Sequence, residues 1–294
     1  MASPADTEFR RHPLLPAMPH RTLVFSHANS FPAGTYRTLF DGWRAAGWDV
    51  RAIDQFGHDP RYPVTRDWPH LVAQLVHFIE HEIGHPVWLV GHSLGGYLSM
   101  MVASRHPQWV QGVVVLDSPL LYGWKRRSLG LAKRWNLVHR VLPPSRVAAE
   151  RTERWDSLDT VVQHFQAKPK FAAFHPQVLR DYIEHGTQAA EAGPGAASPR
   201  RLSFDRRIES AIYTTMPHDL LPEFRRRPPR CPMAFIGGTR SQELRAVGLR
   251  GTERLFGPRV SFIDGTHLYP LEQPQTTVNE VLRWLQRFEA GLRT

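Results

Sequence analysis

The sequence predicts an α/β protein with a mostly parallel central sheet flanked by helices, and three observations predict it. Short β-rich apolar runs alternate with helix-period segments along the 294-residue chain, the rhythm that βαβ units require. That rhythm breaks between Asp117 and Cys231 and then resumes, as it does when a segment is inserted into a sheet rather than added after it. Hydrophobic residues make up 41% and charged residues 22%, a balance that lets a soluble chain bury a sizeable core.

The elements follow in order. Strands are expected at "TLVFSH" (22–27), "WDVRAID" (48–54), "PVWLVG" (86–91), "VQGVVVLD" (110–117), "CPMAFIG" (231–237) and "RVSFID" (259–264). Between the second and third, Leu71, Leu75, Val76, Ile79 and Ile83 share one face of a helix by their spacing. Near the C-terminus Val278, Val281, Leu282, Leu285 and Phe288 do the same. The interval 117–231 shows helix fragments, basic clusters and the glycine-, proline- and serine-rich "EAGPGAASPRR" (191–201), without convincing strands.

Several classes are set aside by the totals. No apolar run reaches the length of a membrane span. The charged, proline-punctuated "MASPADTEFRRHPLLPAMPHR" has no apolar core, so no signal peptide is expected. The single cysteine, Cys231, forms no internal disulfide, and a cytoplasmic location is the expectation. Net charge is +10, and only Lys125, Lys133, Lys168 and Lys170 of the 37 basic residues are lysines. Basic clusters at 125–127 ("KRR"), at 200 and 206 ("RR" each) and at 225–230 ("RRRPPR") invite a nucleic-acid reading. No nucleic-acid module accompanies them, and they fall in loop-like segments. A solvated basic surface is expected, with long-range attraction of anions as its one functional consequence.

Chemistry concentrates in Gly91-His92-Ser93-Leu94-Gly95. An apolar strand runs into it and the helical "LGGYLSMMVASRH" leaves it. A nucleophilic serine needs such a strained strand-to-helix turn, with small neighbours that let backbones approach. Its hydroxyl then stands at a helix N-terminus, where free N–H groups favour developing negative charge.

Here the chain resembles the α/β-hydrolase superfamily, and the likeness covers nearly its whole length. Besides the serine turn it includes "VFSHANSFPAGTYR", similar to the family's oxyanion loop, "DVRAIDQFGHDP", similar to its D-x-x-G-x-G loop, and "GTHLYPLEQP", where the family places its histidine. The resemblance implies the α/β-hydrolase fold, with an eight-stranded mostly parallel sheet and a helical cap inserted after the family's sixth strand. The corresponding boundaries are core 1–118, cap 119–230 and core 231–294.

The resemblance assigns Ser93 as nucleophile and His267, out of sixteen histidines, as general base. His92 is expected to be a packing residue. The acid departs from the pattern. The family usually carries it after its seventh strand, three residues past a glycine, and here that residue is Ser241. Two replacements stay open. Asp117 ends the sixth strand, where pancreatic-type lipases and some haloalkane dehalogenases keep their acid, and Glu243 lies two residues past the vacant position. Asp264, three residues before His267, ranks below both.

The Leu94 and Asn29 N–H groups are expected to form the oxyanion hole, with the Asn29 side chain as a further donor. Phe31, Trp124 and Tyr269 are candidates for an apolar substrate pocket. No metal motif and no dinucleotide fingerprint is present, so no cofactor is expected. The functional expectation is a serine hydrolase acting on an ester or thioester of a small apolar acyl group. The alternative is a non-catalytic ligand-binding member with an incomplete triad, and oligomeric state is left open.

Overall fold

The computed structural model describes residues 21–135, 150–191 and 198–291. The N-terminal segment and most of "EAGPGAASPRR" therefore lie outside the described residues. Six parallel strands form the central sheet: β1 (Thr22–Ser26), β2 (Asp49–Ala52), β3 (Val87–His92), β4 (Val110–Leu116), β8 (Met233–Gly238) and β9 (Val260–Ile263), in the order β2-β1-β3-β4-β8-β9. Four sit within the segments expected from sequence, and β3 and β8 run one residue past theirs, to His92 and Gly238. The described residues give six strands where eight were expected, and all six pair in parallel.

Parallel neighbours need crossovers, and helices on both faces supply them. The strands β1, β3 and β8 are buried at every position. Successive side chains serve opposite cores: Leu23 and Phe25 point to one and Val24 to the other, and Val114 and Leu116 oppose Val113 and Val115. Helix α1 (Arg37–Ala45) and the C-terminal helix Pro274–Glu289 cover the first core, where Trp43, Val278, Val281, Leu285 and Phe288 are buried. Helices α2 (Pro69–His77) and α3 (Leu94–Arg105) cover the second. The helical pattern read over 68–84 holds, its last turn widening to a π-helical segment over Phe78–Ile83.

Between β4 and β8 the chain leaves the sheet. It carries α4 (Gly123–Arg134), helices Leu158–Gln166, Pro169–Ala172, Pro176–Gly186, Arg206–Thr215 and Leu220–Arg226, and three strands: β5 (Arg154–Trp155), β6 (Thr187–Ala189) and β7 (Arg200–Leu202). These strands pair antiparallel in the order β5-β7-β6. The insertion expected from sequence as helical, without convincing strands, thus also carries a small antiparallel sheet. Strands of two or three residues, made of Arg, Gln and Thr as much as of apolar residues, are too short to show a two-residue period. The basic clusters are corrected too: Lys125–Arg127 lie on α4, and Arg225 and Arg226 end the helix Leu220–Arg226.

The sheet order places the chemistry. The chain passes from β1 to β2 on one side, then crosses back to put β3 on the other side of β1. At such a reversal the loops leaving the two strands diverge and open a crevice at the C-terminal ends. His27 to Ser30 follow β1 there, and Ser93 follows β3.

Candidate active site

Ser93 bridges β3 and α3 with φ 52° and ψ −112°, a conformation that costs a side-chain-bearing residue about 1–3 kcal/mol. Its N–H donates to Leu116 O at 2.9 Å. The flanking glycines are required by close approach. A Cβ on Gly91 would stand 2.2 Å from Gly95 O, and one on Gly95 would stand 1.9 Å from Ser26 O. The Gly95 N–H also donates to His27 O at 3.1 Å, which ties the loop after β1 to the serine turn.

His267 lies between β9 and the short helix Tyr269–Glu272. Its Nε2 is 3.0 Å from Ser93 Oγ and its Nδ1 is 2.6 Å from Asp117 Oδ2. Asp117, immediately after β4, has a φ of 48° and is fully buried. Gly238 N–H donates to its Oδ1 at 2.9 Å, and the Ser241 hydroxyl donates to its Oδ2 at 2.5 Å. Ser241 in turn caps the helix Gln242–Val247, accepting from Leu244 N–H at 3.0 Å. The side chain at the vacant acid position therefore holds the carboxylate that His267 meets.

Glu243 stands farther off. Its Oε2 is 3.9 Å from His267 Nδ1, and its side chain is 49% exposed. Asp264 is engaged by Thr239 and Arg240. Burial by itself would depress the proton affinity of His267. The Asp117 hydrogen bond, with the Glu243 and Asp117 charges, outweighs that, so its pKa is raised above 6.5.

Asp117, Glu243 and His267 bring potential metal-ligand atoms within 4.8 Å of one another. Asp117 Oδ2 and His267 Nδ1 already satisfy each other, and Ser241 shares the same oxygen. That is the geometry of a donor–acceptor pair rather than of ligands converging on an ion.

His92 does more than pack. Ala28 N–H donates to the Tyr36 hydroxyl at 3.3 Å, which donates to His92 Nδ1 at 2.8 Å. His92 Nε2–H then donates to the His267 carbonyl at 2.9 Å. Burial holds the His92 pKa well below 6.5, so the ring is neutral with its one proton on Nε2. This chain of bonds links the loop after β1 to the loop that carries His267. His27 pins the same loop. Its Nδ1–H donates to Ala28 O at 2.8 Å while its Nε2 accepts from Phe56 N–H at 3.0 Å. Burial lowers the His27 pKa to about 4.

Among the described residues, neither Asn29 N–H nor Leu94 N–H donates to a backbone carbonyl. The Asn29 side chain is engaged, donating to Glu209 O at 2.9 Å. That removes one of its amide hydrogens from the role expected of it. Glu209 belongs to the helix Arg206–Thr215 and was not singled out in the sequence. It is 4% exposed, accepts from Ser30 Oγ, and pairs with Arg151 at 3.0 Å.

The expected pocket residues are redistributed. Tyr269 is fully buried and donates to Ile236 O at 3.0 Å, so it is core beneath the site. Phe31 is 4% exposed and lies against Phe171, Phe174 and Tyr182 at centroid distances of 6.4, 6.1 and 5.4 Å. Trp124 is 72% exposed on the first turn of α4. Neither periodicity nor motif indicates which way an aromatic side chain leaves the backbone. A recess lined by His27, Asn29, Phe31, Phe56, His58 and Glu209 adjoins the loop, but its volume of about 10 Å³ holds roughly one water.

Fold and residues together define a class: the chain belongs to the alpha/beta hydrolase family, whose model matches residues 23–281. Among curated proteins, 51 residues are 41% identical to the chloroplastic pheophytinase of Arabidopsis thaliana, a match over 17% of this chain that spans about a tenth of that protein (10%). Three solved structures superpose over most of their length. An E-2-(acetamidomethylene)succinate hydrolase has a TM-score of 0.70 at 20% identity, covering 90% of this chain and 91% of its own. A thioesterase domain of the curacin biosynthetic pathway has a TM-score of 0.64 at 17% identity, with the same coverages of 90% and 91%. The enol-lactonase of Burkholderia xenovorans reaches 0.60 at 15% identity, again over 90% and 91%. Likenesses at these identities establish the fold. No described helix is long and apolar enough to cross a membrane.

Proposed function

We propose that the protein is a serine hydrolase acting on a carboxylic ester or thioester. The observation that carries the reading is the continuous line from Ser93 Oγ through His267 Nε2 and Nδ1 to Asp117 Oδ2, at 3.0 and 2.6 Å. Ser93 attacks the carbonyl as His267 takes its proton, and Asp117 holds the imidazole in the tautomer that can accept it. The Asn29 and Leu94 N–H groups stabilise the tetrahedral oxyanion. His267 returns the proton to the leaving group, then activates the water that releases the acid. The segment 119–230 serves as the cap over the strand ends that selects the substrate.

The test is labelling by a fluorophosphonate probe together with hydrolysis of p-nitrophenyl esters of increasing chain length. Wild-type protein labels at one site, and Ser93→Ala abolishes both labelling and turnover. Folded wild-type protein that does not label would show a binding protein instead.

A further inference from the structure

Lys170 sits where a hydrolase has little reason to keep an unpaired cation. It belongs to the short helix Pro169–Ala172, between β4 and β8. Its ammonium lies over the Phe31 ring, 5.3 Å from the centroid, and Phe31 is two residues beyond Asn29. Phe171, the next residue along, packs against Phe31, Phe165 and Tyr182 at 6.4, 4.8 and 5.0 Å. That aromatic cluster fixes the helix, and with it the direction of Lys170. The charge is close enough to His267 and His92 to disfavour a proton on either ring.

Lys168 likewise lies over a ring, that of Phe165 at 5.6 Å, without an ion pair among the described residues, whereas the remaining two lysines show what Lys170 lacks. Lys133 pairs with Asp67 and donates to Met216 O at 2.9 Å, and Lys125 donates to Ala246 O at 2.6 Å. Among the described residues, Lys170 has no carboxylate within ion-pair distance and no hydrogen-bond acceptor. Of its acidic neighbours, Glu209 is committed to Arg151 and Ser30, while Glu243 is half exposed and lies outside ion-pair distance of Lys170. Crowding by protein pushes the Lys170 pKa down, Arg151 adds to that, and Glu243 and Glu209 restore only part. Lys170 is exposed to solvent, so a ligand can reach it. An ammonium in the open without a counter-ion is free to form a charge-assisted hydrogen bond with a bound anion.

We propose that Lys170 forms an anion subsite beside Ser93, so that the hydrolysed ester or thioester carries a second, negatively charged group, a carboxylate being the simplest. The inference rests on the hydrolase reading for the identity of the reacting bond. It departs from the apolar acyl pocket expected from Phe31, Trp124 and Tyr269, of which Phe31 and Tyr269 are buried.

Binding in the Ser93→Ala protein tests it without requiring turnover. Calorimetry compares two charge pairs of matched shape: monomethyl succinate against methyl butyrate, with the charge on the acyl side, and 4-acetoxybenzoate against 4-methylphenyl acetate, with the charge on the alcohol side. The anionic member of one pair should bind about tenfold more tightly or better. That preference should fall to about twofold or less in two independent neutral replacements, Lys170→Met and Lys170→Gln, each checked for an unchanged circular dichroism spectrum. It should persist at about 0.5 M salt, where attraction by the distant basic surface is screened. Equal binding within both pairs, or a preference that survives both replacements, overturns the proposal. Failure of the hydrolase reading is seen separately, as absence of fluorophosphonate labelling in the wild-type protein.

Discussion

The end of β4 and the end of β8 each carry a carboxylate toward His267, and the two are held very differently. Asp117 is fully buried, fixed by a backbone N–H, a serine hydroxyl and the imidazole. Glu243, on the first turn of the helix after β8, is half exposed and stands 3.9 Å away. Inside the protein a charge–imidazole contact is strengthened by low dielectric and cannot be replaced by water, whereas an exposed one is screened. Enclosure, more than proximity, separates the two carboxylates as partners for the imidazole.

The comparison can be broken or sharpened by substitution. Ser93→Ala should cost on the order of 10⁶ in kcat, the loss expected when a nucleophile of this type is removed. Asp117→Asn should cost on the order of 10⁴, because the amide holds the imidazole in the wrong tautomer. Ester turnover in stopped assays measures both, and an Asp117→Asn protein within about tenfold of wild type would dismantle the contrast between the two strand ends.

Ser241→Ala comes next. It removes one donor to Asp117 and leaves a buried oxygen short of a partner, for an expected loss of roughly tenfold in kcat/KM. Ser241→Thr, which keeps the hydroxyl, should recover most of it. Glu243→Gln should change kcat/KM by less than about threefold, as for a screened pair.

The pH profile sharpens the same point. In the proposed mechanism His267 must be neutral to accept the serine proton, so activity is expected to rise as pH increases through its raised pKa. Removing a negative charge makes the imidazolium less stable, so both Asp117→Asn and Glu243→Gln should move the acid limb of the kcat/KM profile to lower pH. The larger move belongs to Asp117→Asn, which also removes a hydrogen bond. Equal shifts in the two variants would show that Glu243 is coupled to His267 as strongly as Asp117.

Much of the site was legible in the sequence. The turn at Ser93 advertised itself by glycines on both sides of a serine between an apolar strand and a helix, since close backbone contact admits nothing larger at Gly91 and Gly95. His267 was marked by its motif. His92 was passed over as packing, yet it bonds to Tyr36 and to the His267 carbonyl. No local pattern could reveal those partners, which lie 56 and 175 residues away. Glu209 was missed for the same reason: nothing around it shows that its carboxylate would fold inward against Arg151 and Ser30.

What the sequence determined by itself was the succession of the six strands of the central sheet and the turn geometry at Ser93, because both depend on short-range periodicity and on the space a side chain needs next to its own backbone. The tertiary structure decided which carboxylate touches His267, that Ser241 supports it rather than replaces it, and that Tyr269 lies in the core while Lys170 faces the Phe31 ring. Those outcomes depend on how segments from 33 to 150 residues apart come together around the ends of parallel strands. Only packing sets that distance and the direction of each side chain.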